Sequence, residues 1–227
     1  MAVLFDLAAG DGRRFSPHCW RTRLALAHKN LPYEAQPIRF TEIASIADGK
    51  QKTVPVLDDN GKIIGDSWAI AEYLEETYPD RPSLFGGPSG RALTLFIQDW
   101  AIATLQLGLL NLIVLDIWQS LSPEDKDYFR SSREKRLGRS LEEVQARRED
   151  RLPTFQKSLQ PLRMLLSKQD WIGGESPLYA DYAAFAPFQW ARIVSNFTLL
   201  EQDDIIRGWI ERCLDLYDGL GRKALKS

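Results

Sequence analysis

Three short stretches of the chain carry residue types able to act on a small molecule. In Phe15-Ser16-Pro17-His18-Cys19-Trp20 a hydroxyl, an imidazole and a thiol follow one another. Ser16 ahead of Pro17 has the pattern of a helix cap with proline at the first helical position. At such a place the hydroxyl can instead donate to a sulfur anion. A free thiol ionises near pH ~8.5, and a helix end worth up to ~2 kcal/mol lowers that by ~1.5 units. The cap and the donor are both open readings. Asp66-Ser67 precedes another helical pattern, where unpaired N–H groups and the positive dipole end suit a carboxylate. Asp66 adds an anion suited to an ammonium group, although a serine there can be a plain cap. Between them, Thr53-Val54-Pro55-Val56 sets a proline into an apolar strand, where it removes a ladder donor.

The elements that must position these residues can be read from the pattern around them. Val3–Leu7 is a short apolar strand, and Pro17 to about Lys29 a helix with Trp20, Leu24, Ala27 and Leu31 at helical spacing. Asn30 can close that helix in a left-handed conformation. Glu34–Arg39 reads as a second strand and Thr41–Ala47 as a short helix. Val54–Leu57 and Lys62–Ile64 form a hairpin around Asn60-Gly61, and a helix runs from Ser67 to about Tyr78. This β-α-β-α-β-β-α order is that of the thioredoxin-like fold. In that fold the proline is cis and turns the preceding residue's N–H and C=O towards a bound peptide; the alternative is an edge strand with a trans proline.

Composition changes at Pro79-Asp80-Arg81-Pro82 and Gly86-Gly87-Pro88, a linker with breakers. Beyond it no strand pattern survives. Arg91 to about Ser120 reads as one helix, and Leu152–Lys168 and Tyr179–Ser195 as others. The charge-dense Arg130–Asp150 reads as a solvated helical face. The expected organisation is an α/β thioredoxin-like domain over residues 1–80, a linker over 81–89 and an all-α domain over 90–227. Trp100, Ala103 and Leu107 recur on the long helix and either line a pocket between the halves or belong to the core. Trp190 and Phe188, near Pro187, read as core. His18 faces the pocket in this reading, and His28 faces solvent.

With 29 Lys+Arg against 31 Asp+Glu and a net charge of −2, nothing points to nucleic acid. The two cysteines, Cys19 and Cys213, allow neither a disulfide framework nor a multi-cysteine zinc site. The apolar run around Leu105–Ile117 is broken by Gln106, Asn111 and Asp116 and reads as too short to span a bilayer. The N-terminus lacks a signal-peptide pattern, so a cytoplasmic location is expected.

The ordered set Ser16-Pro17, Val54-Pro55 and Asp66-Ser67, followed by a helical half, resembles the glutathione transferases over essentially the whole chain. More narrowly, FSPHCWRTRLALAHKNLPYE and DYFRSSREKRLGRSLEE are similar to bacterial β-aryl-etherases and etherase-like fungal glutathione transferases. The resemblance implies glutathione as co-substrate, contacted by Val54, Pro55, Asp66 and Ser67, with Lys52 on its glycyl carboxylate. It implies serine-type activation at Ser16, a hydrophobic aromatic acceptor, no need of a metal, and a homodimer. Two departures are visible: Asp66 stands where many members carry Glu, and Leu178 stands where a capping Ser or Thr precedes Asp181. The alternatives are a non-enzymatic glutathione-dependent binder of aromatics and a glutathione-dependent thiol reductase. The reductase would need Cys19 as nucleophile, but Ser16 occupies the first position of the C-x-x-C frame.

Overall fold

The computed structural model describes residues 1–225. Its first half is a four-stranded sheet in the order β2-β1-β3-β4. β1 (Ala2–Leu7) runs parallel to β2 (Tyr33–Ile38) and antiparallel to β3 (Val56–Asp59), which pairs antiparallel with β4 (Lys62–Gly65). The β1–β2 crossover is α1 (Pro17–His28), opened by Ser16 and Pro17 and left through Asn30 at φ 51°. Asn60 and Gly61, both at positive φ, make the β3–β4 turn as their sequence requires. The segment expected as a helix over Thr41–Ala47 is instead a 3-10 turn over Phe40–Ser45.

α2 (Ser67–Thr77) closes this half, with Asp66 rather than Ser67 as its cap. The Asp66 carboxylate accepts from the N–H groups of Trp68 and Ala69 at 2.8 and 3.2 Å. The helical half opens at Pro88, so the end of the expected linker is already helix. α3 (Pro88–Trp100) and α4 (Leu107–Ser120) are joined by a π-helical stretch, Ala101–Gln106. The combined helix of 33 residues is long and apolar enough, by length and composition alone, to cross a membrane, longer than the apolar run suggested. Its Ala101, Leu105, Leu109 and Ile113 are nevertheless fully buried in the protein core.

α5 (Pro123–Leu137), α6 (Leu141–Gln145), α7 (Arg148–Ser158) and α8 (Gln160–Leu166) follow. The helix expected over Leu152–Lys168 is therefore two, parted at Leu159, where Pro161 has no N–H to continue the ladder. α9 (Tyr179–Val194) is buried along nearly its whole length, and α10 (Ile205–Gly219) packs Trp209 edge-on against Phe185 and Phe188. Asp181 fastens the start of α9 by accepting from the N–H groups of Ile172, Gly173 and Leu178 and from Trp209 Nε1. The missing hydroxyl at Leu178 is thus bypassed.

The two halves are locked along α1 and α9. Trp68, Phe85 and Tyr179 pack in tilted and edge-on contacts with ring centroids 5.2 to 5.9 Å apart, and Tyr179 donates to the Ser67 carbonyl at 2.9 Å. His28 does not face solvent as expected. Its Nδ1 lies 2.6 Å from the Tyr182 hydroxyl and 3.1 Å from that of Tyr217, so it joins α1 to α9 and α10.

Candidate active site

A cavity of about 500 Å³ opens between the halves and is lined by Ser16, His18, Lys52, Val54, Pro55 and Asp66 on one side. Ser16 is 5 % exposed, and its Oγ accepts from the Cys19 N–H at 3.3 Å. The cap and donor readings are thereby compatible. Capping engages a lone pair and leaves the hydroxyl proton to give to another atom.

The Val54–Pro55 bond is cis, as the fold pattern requires. Val54 stands before the ladder begins at Val56, so its backbone groups are not committed to the sheet. The Pro55 carbonyl accepts from the Asp66 N–H at 3.2 Å, tying the proline loop to the mouth of α2. Asp66 holds positive φ at 75°, a conformation that Asp tolerates better than most side chains. Ser67 is 2 % exposed and lies just behind the cavity wall rather than on it.

Cys19 is fully buried, and burial together with the Asp6 carboxylate pushes its thiol well above the ordinary range. A thiol held protonated is a poor nucleophile. Cys213 is likewise fully buried in the core, as its spacing suggested.

His18 sits at the cavity wall with Arg21 Nη1 3.3 Å from its Nδ1 and the Gln106 amide 3.0 Å from its Nε2. A guanidinium can only donate, so in its contact with Arg21 the ring must accept at Nδ1, which requires an unprotonated nitrogen there. Protonation would set a second N–H against Arg21. Burial first, and the Arg21 charge second, push the His18 pKa down to about 3. Arg21 itself is fully buried and makes no ion pair among the described residues.

The other side of the cavity comes mostly from residues that sequence spacing did not identify. Ile102, Gln106, Leu107 and Leu110 line it from the long helix, whereas Trp100 and Ala103 do not. The expected triple of Trp100, Ala103 and Leu107 presumes an unbroken 3.6-residue period. The π-helical stretch at Ala101–Gln106 shifts the register, so of the three only Leu107 reaches the cavity. Trp100 packs on the core instead, and Ala103 is exposed. Trp190 is buried as expected but is also a cavity wall.

Phe40, Tyr128, Phe129, Arg133 and Arg136 complete that side. The Asp125 carboxylate accepts from the Phe40 and Thr41 N–H groups and the Thr41 hydroxyl at 3.0 to 3.2 Å, holding the 3-10 turn on α5. Reading Arg130–Asp150 as a solvated face therefore missed Arg133 and Arg136. The available signal was the helical spacing of Phe129, Arg133 and Arg136 on one face. A larger depression of about 630 Å³ lies beside Asp116 and Arg148, but those charges already pair at 2.7 Å.

The glutathione S-transferase N-terminal domain family matches residues 12–82, and the glutathione S-transferase C-terminal domain family matches residues 92–216. The chain belongs to the glutathione S-transferase family.

The chain is similar in structure to a glutathione transferase from Phanerochaete chrysosporium, with a TM-score of 0.77 and 29% identity over 96% of this chain and 92% of that one. A glutathione S-transferase of Ceriporiopsis subvermispora, solved in complex with glutathione, matches with a TM-score of 0.76 and 25% identity over the same shares. In sequence, it is 36% identical over 118 residues to the maleylacetoacetate isomerase of Dictyostelium discoideum, 47% of this chain and 51% of that protein. A maleylacetoacetate isomerase of Rattus norvegicus is 41% identical over 42% of this chain and 47% of its own length. The chain thus spans about half the length of the curated relatives it matches.

Proposed function

We propose that this transferase binds glutathione in the cleft and adds its thiolate to an apolar aromatic electrophile held between the two halves. What supports this most is the convergence of Ser16, the Val54–Pro55 loop, Lys52 and Asp66 on a single cavity that continues into an aromatic wall. Glutathione supplies the nucleophilic sulfur. Asp66 pairs with its ammonium group, and the positive end of α2 receives the neighbouring carboxylate. The Val54 backbone pairs with the peptide, and Lys52 takes the glycyl carboxylate. Ser16, still holding its proton while capping α1, donates to the sulfur and favours the anion. Cleavage of a β-aryl ether, with a phenolate leaving, is the form of this chemistry that the sequence resemblance favours. The functional unit in this reading is a homodimer. The buried, protonated Cys19 argues against a thiol reductase.

Ser16→Ala tests the reading. Losing a hydrogen bond to a charged sulfur, worth about 1.5–3 kcal/mol, should raise the bound thiol's pKa by about 1–2 units. The pH–rate profile for glutathione conjugation of an aryl halide should move alkaline, and stability should fall by about 1 kcal/mol with the lost cap. An unmoved profile in a folded variant would remove Ser16 from the chemistry. Absence of turnover in the unaltered protein, with glutathione still bound, would favour the non-enzymatic binder.

A further inference from the structure

The tripeptide reading leaves two cations of the cleft unused. α5 brings Arg133 and Arg136 to the cavity. The Arg133 guanidinium lies 4.5 Å from the Phe129 ring centroid and 5.1 Å from that of Phe40. Its Nη1 donates to Ser132 Oγ at 2.9 Å. Among the described residues neither Arg133 nor Arg136 forms an ion pair. Their neighbour on the same helix, Arg130, is by contrast held by Glu134 and Glu142 at 2.9 and 2.8 Å.

A half-buried guanidinium without a counter-ion carries a desolvation cost that stacking on rings only partly offsets. Burial, with Arg136 adding to it, already weakens Arg133's hold on its proton. An anion brought by a ligand would relieve both effects. The same wall carries the rings of Phe40, Tyr128 and Trp190 beside aliphatic side chains of the long helix. The Trp190 indole N–H is buried with no hydrogen-bond partner among the described residues, a donor available to an oxygen.

We propose that the acceptor half of the cleft selects aromatic carboxylates, with the ring against Phe40, Tyr128 and Trp190 and the carboxylate on Arg133 and Arg136. This rests on the transferase reading of the cleft and narrows its acceptor from aromatic electrophiles in general to anionic ones. The ring burial supplies affinity, and the paired arginines discriminate against neutral analogues of the same shape.

The test is calorimetric titration of the full chain with 2-naphthoate and its neutral isostere 2-naphthamide, with and without glutathione. The carboxylate should bind about tenfold more tightly than the amide, the scale of one charge-assisted hydrogen bond. That preference should shrink towards unity in Arg133→Gln with Arg136→Gln and in about 0.5 M salt. Each single variant, and Arg133→Lys for its retained charge, serves if the double variant melts early. Equal affinity for the two probes, or binding of neither, overturns the proposal. So does a carboxylate preference that survives the double variant. If that variant instead loses glutathione affinity and keeps the naphthoate preference, the arginines serve the tripeptide and the proposal falls. Should glutathione fail to bind the unaltered protein, the transferase reading fails, while the naphthoate comparison without glutathione still decides what the arginines recognise.

Discussion

His18 offers a perturbation whose size follows from the site's geometry. The ring accepts from Arg21 at Nδ1 and meets the Gln106 amide at Nε2, so the folded protein holds it neutral with a pKa of about 3. In the unfolded chain the same group titrates near ~6.5. The folded pKa is the lower one, so between these values the unfolded state binds more protons, and stability falls as pH drops through the window. At neutral pH the contribution is fully present. By pH ~5 about 2 kcal/mol has been lost, since ~1.5 units separate that pH from the unfolded pKa.

His18→Gln removes the titration and keeps a polar partner for Arg21. Urea unfolding of both proteins at several pH values isolates the effect. The stability difference between them should be constant above pH ~7 and shift in the variant's favour by about 2 kcal/mol by pH ~5. Burial also lowers the His28 pKa, but His28 is present in both proteins and cancels. With only two histidines in the chain, NMR can follow each imidazole separately. A His18 resonance titrating near pH ~6.5 in the folded protein, or a pH-independent stability difference, would refute the reasoning.

Cys19→Ser should leave conjugating activity largely intact, and loss of turnover in a folded variant would make that thiol the nucleophile. Asp66→Ala should weaken glutathione binding by about tenfold to a hundredfold, the scale of one charge-assisted contact, and unchanged calorimetric affinity would place the tripeptide elsewhere. Asp125→Ala strands the Phe40 and Thr41 N–H groups beside α5 and should cost about 2–4 kcal/mol. A melting temperature equal to that of the unaltered protein would show that this carboxylate does not hold the cleft wall.

The first half of the fold was legible because its signals are local. Ser16-Pro17 opens a helix, Asn30 ends it and Asn60-Gly61 turns a hairpin, each through the backbone preferences of a few adjacent residues. The same local order put Ser16, Val54-Pro55 and Asp66 at one end of the sheet, so that side of the cleft could be named before its geometry was known. The opposite wall could not. A π-helical stretch changes which residues share a face, and hydrophobic spacing assumes a constant period, so Trp100 and Ala103 were misplaced and Ile102 and Gln106 were missed.

Charge was equally ambiguous in one dimension. Arg130 and Arg133 are alike in sequence, yet Arg130 is paired with glutamates while Arg133 lies over Phe40 and Phe129. Phe40 is there because Asp125, far along the chain, grips the turn that carries it. His28 shows the same limit, because an end-of-helix histidine faces water unless another element covers it, and here Tyr182 and Tyr217 do. Backbone turns and caps are decided within a few residues by sterics and hydrogen bonding, so the chain states them directly. Which side chains share a cavity, and which charges find a partner, depends on how distant helices pack, and only the tertiary structure decides that.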